Sequence, residues 1–192
     1  MKQVYSKMCD LAKPYYEKGR PMDVSHIEWM MPEALLVCQK EDLDDSLLLP
    51  LVILHDVGYA EVPKDHPFKL DVRRAHMAAG VKIARRILEQ LNYSKEKTEK
   101  IEYYISVHDN WAWGDNEIYK QDIILGTFTD LDYAWMATPK GFLALMKILE
   151  KNKQEMFEFL KTNDKLVLRP FSTKTVKDLY ESYLEDRQKE LF

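Results

Sequence analysis

The chain is short of the residues on which several common architectures depend. Its 192 residues include two cysteines, Cys9 and Cys38, too few for a disulfide framework and in keeping with a reducing compartment. The six glycines, at 19, 58, 80, 114, 126 and 141, never come closer than twelve positions, so neither a P-loop nor a G-x-G-x-x-G turn can be assembled. No G-x-S-x-G elbow and no C-x-x-C pair occurs. The longest apolar run, Leu47–Leu54, has eight residues including Pro50, whereas a membrane-spanning helix needs about 20; no membrane partner is expected. The N-terminal MKQVYSKMCDLAKPYY lacks a basic segment followed by an apolar one, and the expected location is cytoplasmic. Basic excess is also missing. Lys and Arg number 28 against 32 Asp and Glu, a net charge of −4, which argues against a nucleic-acid polymer as partner.

What is present is helical periodicity. Apolar residues at helical spacing predict helices over about 3–18, 25–40, 46–56, 71–91, 94–108, 118–136, 138–162 and 174–191. Asp23 or Ser25 is the expected cap of the second, with Pro32 making its start irregular, and Ser94 caps the fifth. The acidic stretch Glu41, Asp42, Asp44 and Asp45 lacks the spacing of a cation loop, and its last aspartates are good N-caps. The expectation is a single all-α domain over 1–192, a bundle of seven or eight helices. The final helix, with Leu179, Tyr183, Leu184 and Leu191, carries an apolar stripe that allows a homodimer.

Four of the five histidines fall on faces that should be buried. His55 ends LLLPLVILHD; His76 shares a stripe with Val72, Ala79, Ile83 and Ile87; His108 follows Ile101 and Ile105; His26 aligns with Met30 and Val37. Asp56 and Asp132 intrude on apolar surroundings in the same way. One such histidine is an ordinary core residue bonded to a carbonyl, and one aspartate an ordinary cap. Six together, on the inner faces of five helices, call for a common cause, because buried carboxylates need partners. Imidazole and carboxylate are the ligands of Fe, Mn, Co or Zn, and helix bundles build metal sites from facing side chains. Six ligands exceed what one tetrahedral ion uses.

The ordered set His26, His55-Asp56, His76, His108, Asp132 resembles the HD-domain metal-dependent phosphohydrolase superfamily. The likeness covers about residues 20–145, with 146–192 a C-terminal helical extension packed on that core. LLLPLVILHDVGY is similar to the family's apolar helix ending in His-Asp. RRAHMAAGVKIARRIL and IEYYISVHD are similar to the histidine helices of its two-metal branch, and TDLDYAWMATPKGF to its closing aspartate motif. The resemblance implies that His26, His55, Asp56 and Asp132 hold one metal and that Asp56 bridges to a second held by His76 and His108. Asp130 is the rival to Asp132, which is favoured because it precedes Trp135 by three.

The implied cofactor is one or two divalent transition metal ions, Fe, Mn or Co, with Zn or Mg as alternatives. The implied activity is hydrolysis of a small phosphate ester or nucleotide by water whose pKa the metal lowers. Di-iron oxygenases of the same superfamily, and a non-catalytic metal-binding module, are the alternatives. Where many members have lysine three residues after the motif aspartate, this chain has Tyr59. Arg73 and Arg74, just before His76, are candidates for phosphate contacts; Lys64 and Lys69 are weaker ones. His66 is a candidate general acid, Asp109 a candidate partner of a ligand imidazole, and Trp111 and Trp113 candidate stacking surfaces.

Overall fold

The computed structural model describes residues 2–191. Its centre is a helix that has no polar face. Residues 47–54 are all buried, and a helix apolar all round must be enclosed on every side. This helix, α3 (Asp45–Leu54), packs against α1 (Gln3–Lys18), α2 (Met22–Glu41), α5 (Lys95–Val107) and α7 (Ile123–Trp135). Asp44 caps it by accepting from the Ser46 backbone N–H at 2.9 Å. Pro50 removes the bond that the Ser46 carbonyl would receive; the Tyr93 hydroxyl donates to that carbonyl instead, at 2.7 Å.

From α3 the chain passes through His55 and Asp56 into a 3-10 turn, Val57–Glu61, seated on α4 (Leu70–Gln90) and α1. Gly58 makes the seating possible. A Cβ there would stand 1.9 Å from the His76 carbonyl oxygen, so only glycine lets the turn touch the α4 backbone. A second 3-10 turn, Asn110–Trp113, follows α5; the remaining elements are α6 (Ile118–Gln121), α8 (Pro139–Ile148), α9 (Lys153–Thr162), α10 (Lys165–Leu168) and α11 (Lys174–Lys189).

The described residues contain no strand, and the all-α expectation holds. Their helices are more numerous than the seven or eight expected, for local reasons. The sixth expected helix breaks at Asp122, which is extended (φ −123°) and caps α7 by accepting from the Ile124 and Leu125 N–H groups. The seventh breaks at 149–152, where Glu150 has φ +51° and Asn152 forms a capping box with Glu155. Helix α2 begins at Met22, so Pro32 lies well inside it and not near its start. Neither Asp23 nor Ser25 caps it, and Ser94 stands before α5 without a side-chain capping bond. No described helix is long and apolar enough to cross a membrane.

Candidate metal centre

Five helices deliver six ligand-type side chains to one place. His26 comes from α2, His55 and Asp56 from the end of α3, His76 from α4, His108 from the end of α5 and Asp132 from α7. The four histidines are at most 3% exposed and Asp56 7%; Asp132 is half-buried. Their donor atoms form two groups, His26/His55/Asp132 and Asp56/His76/His108, and Asp23, His26 and Asp56 form a third that overlaps them.

Asp56 joins the two principal groups. Its Oδ2 lies 3.3 Å from His55 Nε2, while its Oδ1 lies 3.3 Å from His76 Nε2 and 3.5 Å from His108 Nε2. His26 Nε2 is 3.3 Å from Asp132 Oδ1.

The imidazoles are turned so that Nε2 faces inward. His55 Nδ1 lies 3.0 Å from the Val52 carbonyl, His76 Nδ1 3.3 Å from that of Val72, and His108 Nδ1 2.8 Å from that of Ile105. A carbonyl oxygen only accepts, so each Nδ1 carries a proton, and where the ring is neutral its Nε2 presents a lone pair. His76 Nε2 and His108 Nε2 then confront each other at 3.2 Å, with a carboxylate oxygen beside both. Three acceptors so close require a cation or a shared proton among them.

The buried His26 Nε2 and His55 Nε2 have no hydrogen-bond partner, and a water or an ion satisfies such buried polar atoms. Ligands ~2.1 Å from a shared ion stand roughly 3.0–3.4 Å apart, close to the separations seen here. The donor set therefore fits one or two divalent metal ions; it does not choose among Fe, Mn, Co, Zn and Mg.

The charges of the cluster compensate one another. Burial works against a charged Asp56, but His55 and Arg20 outweigh it and hold the carboxyl well below the usual range. Burial likewise disfavours a charged His55, yet Asp56 raises its pKa to about 9. For His76 burial prevails over Asp56 and lowers the pKa. Burial raises the Asp132 carboxyl, but His26 and His55 keep it below the ordinary aspartate value.

Around this centre lies a cavity of about 460 Å³ lined by His26, His55, Asp56, His108 and Asp132, among others. His76 sits behind it, stacked under Tyr59 at 4.1 Å and 8°. The Arg20 guanidinium lies 3.8 Å from the other partner in that stack, the Tyr59 ring. Arg20 also donates to Asp56 Oδ2 at 2.6 Å while held in a fork by Asp23. Sequence reasoning missed both Arg20 and Asp23, since Gly19-Arg20-Pro21 reads as a helix terminator and Asp23 as a cap.

The remaining candidates separate cleanly. Asp130 points away from the histidines; it pairs with buried Lys165 and accepts from the Ser172 N–H at 2.6 Å, leaving Asp132 as the aspartate beside His26. Arg73 lines the cavity, paired with Asp109 at 2.6 Å and 4.5 Å from the Trp111 ring. Asp109 Oδ2 also lies 3.9 Å from His76 Nε2.

Arg74 is exposed and lies against Trp113, outside the cavity. His66 is exposed too; its Nδ1 accepts from the Phe68 N–H at 3.3 Å, its Nε2 lies 3.3 Å from the Ile148 carbonyl, and it does not line the cavity. Neither placement brings these side chains to the histidine–aspartate cluster. Lys64 is exposed, and exposed Lys69 pairs with Asp65.

Residues 146–192 are more than an outer layer on the core, because Ile148, Leu149, Phe159, Asn163 and Arg169 form part of the cavity wall.

Comparison of the chain with family models, with curated proteins and with solved structures gives no match.

Proposed function

We propose that the chain is a metal-dependent phosphohydrolase acting on a small phosphate ester or nucleotide. The observation that carries this is the pair of ligand groups joined by one carboxylate, His26/His55/Asp132 and Asp56/His76/His108, opening on a cavity of about 460 Å³. The chain order of these residues, which resembles that of the HD-domain phosphohydrolases, supports it. A divalent metal bound there supplies a water of lowered pKa and neutralises charge developing on phosphoryl oxygens.

The protein's own part is positioning. The backbone carbonyls of Val52, Val72 and Ile105 fix the ring orientation of three imidazoles. Arg20 and His55 keep Asp56 anionic, and the Tyr59 ring holds His76 flat against it. The cavity size is in the range of small-molecule sites. Its wall includes the apolar side chains Phe68, Trp135, Leu145 and Leu149, with Trp135 stacked on the His26 ring at 4.4 Å. The net charge of −4 fits a diffusible substrate better than a polymer.

The test is release of inorganic phosphate from a panel of phosphomonoesters and nucleotides, with Mn²⁺, Fe²⁺ or Co²⁺, in air and under nitrogen. The expected result is metal-dependent release at equal rates in both atmospheres. Product formation only in air would replace hydrolysis with the oxygenase reading. Firm metal binding without turnover across the panel would leave a binding module.

A further inference from the structure

Arg169 differs from every other cation around the cavity. Arg20 is paired with Asp23 and Asp56, and Arg73 with Asp109; nearby Lys165 is paired with Asp130. Arg169 is 7% exposed, lines the cavity, and has no hydrogen-bond partner for Nε or Nη1. Among the described residues no carboxylate forms an ion pair with it. Burial lowers its pKa, but a guanidinium stays charged across the range in which proteins work. An unpaired buried charge is costly, and nothing within the fold compensates it fully.

Its surroundings hold it ready. The Arg169 guanidinium lies 4.9 Å from the Trp111 ring and 5.3 Å from that of Tyr119, contacts that favour a cation while leaving its donors free. Its backbone N–H bonds the Lys165 carbonyl at 2.8 Å, and Lys165 is itself tied to Asp130 of α7. The position is thus fixed relative to Asp132, two residues further along α7.

We propose that Arg169 forms an oxyanion subsite in the cavity wall, taking a phosphate or carboxylate group of the bound ligand through its free N–H groups. As a substrate subsite it rests on the reading of the cavity as the hydrolytic site. As an anion site it stands on Arg169's own geometry. The terminal Nη1/Nη2 edge of a guanidinium is the fork that recognises such a group bidentately, and no side-chain hydrogen bond engages that edge in Arg169. Arg169 lies outside the stretch that resembles the HD-domain family, so it makes the ligand specificity of this chain a property of its C-terminal helices.

The experiment is calorimetric titration of orthophosphate, and separately of propionate, into wild type, Arg169→Gln and Arg169→Lys, each as purified and after chelation. Melting curves are recorded without anion. The expected result is that the anion which binds wild type loses about tenfold or more in affinity in Arg169→Gln, chelated or not. Arg169→Lys should be intermediate. The Arg169→Gln protein should melt no lower than wild type, because it sheds an unpaired charge; a purely structural arginine would give a lower melting temperature with binding unchanged.

Affinities within twofold across all three proteins would overturn the proposal. If Arg169→Gln does not fold, Arg169→Lys decides, since it keeps the charge and loses the fork. Arg169-dependent anion binding without any phosphate-ester hydrolysis would refute the phosphohydrolase reading alone. Hydrolysis with KM unchanged in Arg169→Gln would refute the subsite alone.

Discussion

Asp56→Asn is expected to fold, to lose metal, and to lose turnover by about a thousandfold or more. The side chain keeps its shape, and Arg20 keeps its fork with Asp23, so the helix ends need not move. What disappears is the negative charge within 3.5 Å of three imidazoles and the one group able to serve both ligand sets. A metal supplies several kcal/mol of charge stabilisation in such a reaction, and each 1.36 kcal/mol is a factor of ten in rate. Circular dichroism checks the fold, elemental analysis the metal, and phosphate release the rate. A folded Asp56→Asn protein with full metal content and full activity would remove Asp56 from the site.

The largest expected effect on stability lies behind the centre. Lys165→Met leaves Asp130 about 2% exposed and without its cation. Removing one member of a buried pair typically costs about 3–5 kcal/mol, and urea unfolding should show a loss of that order. The double variant Lys165→Met/Asp130→Leu should recover most of it, because an apolar pair of similar size carries no stranded charge. Recovery should stop short of wild type, since the Ser172 N–H then loses its acceptor. The same logic separates the two aspartates of α7. Asp130→Asn should lower stability and leave metal content intact; Asp132→Asn should do the reverse. Equal metal loss in both would contradict the division of roles that their partners imply.

Much of this arrangement was legible in the chain. The uninterrupted Leu47–Leu54 run announces an enclosed helix, and its His-Asp ending places two charged-type residues in the core. The apolar stripes under His26, His76 and His108 do the same, which is why the set could be drawn together without a structure.

Other parts were not legible, for reasons tied to particular residues. Apolar spacing continues across Asp122 and across 149–152, so periodicity alone sees one helix where capping makes two. Arg74 is adjacent to Arg73 in sequence, but one step along a helix turns a side chain about 100° away, and only Arg73 reaches the cavity. His66 looked close to the site because its loop follows the His-Asp motif; the loop carries it instead to the Ile148 carbonyl. Arg20 and Arg169 carry no pattern signal at all. One sits in a turn and the other just past a single-turn helix, and their roles come from neighbours distant in sequence: Asp56 for Arg20, Trp111 and Tyr119 for Arg169.

The two-ion centre proposed for these six side chains, joined by Asp56, can be counted. Elemental analysis of protein purified without chelator, alongside His76→Ala and His108→Ala, tests it most directly. About two ions per wild-type chain, falling to about one in each variant, is the predicted result. A wild-type protein that carries no metal, and takes up none when Mn²⁺, Fe²⁺, Co²⁺ or Zn²⁺ is supplied, would show that the six side chains are not a metal centre.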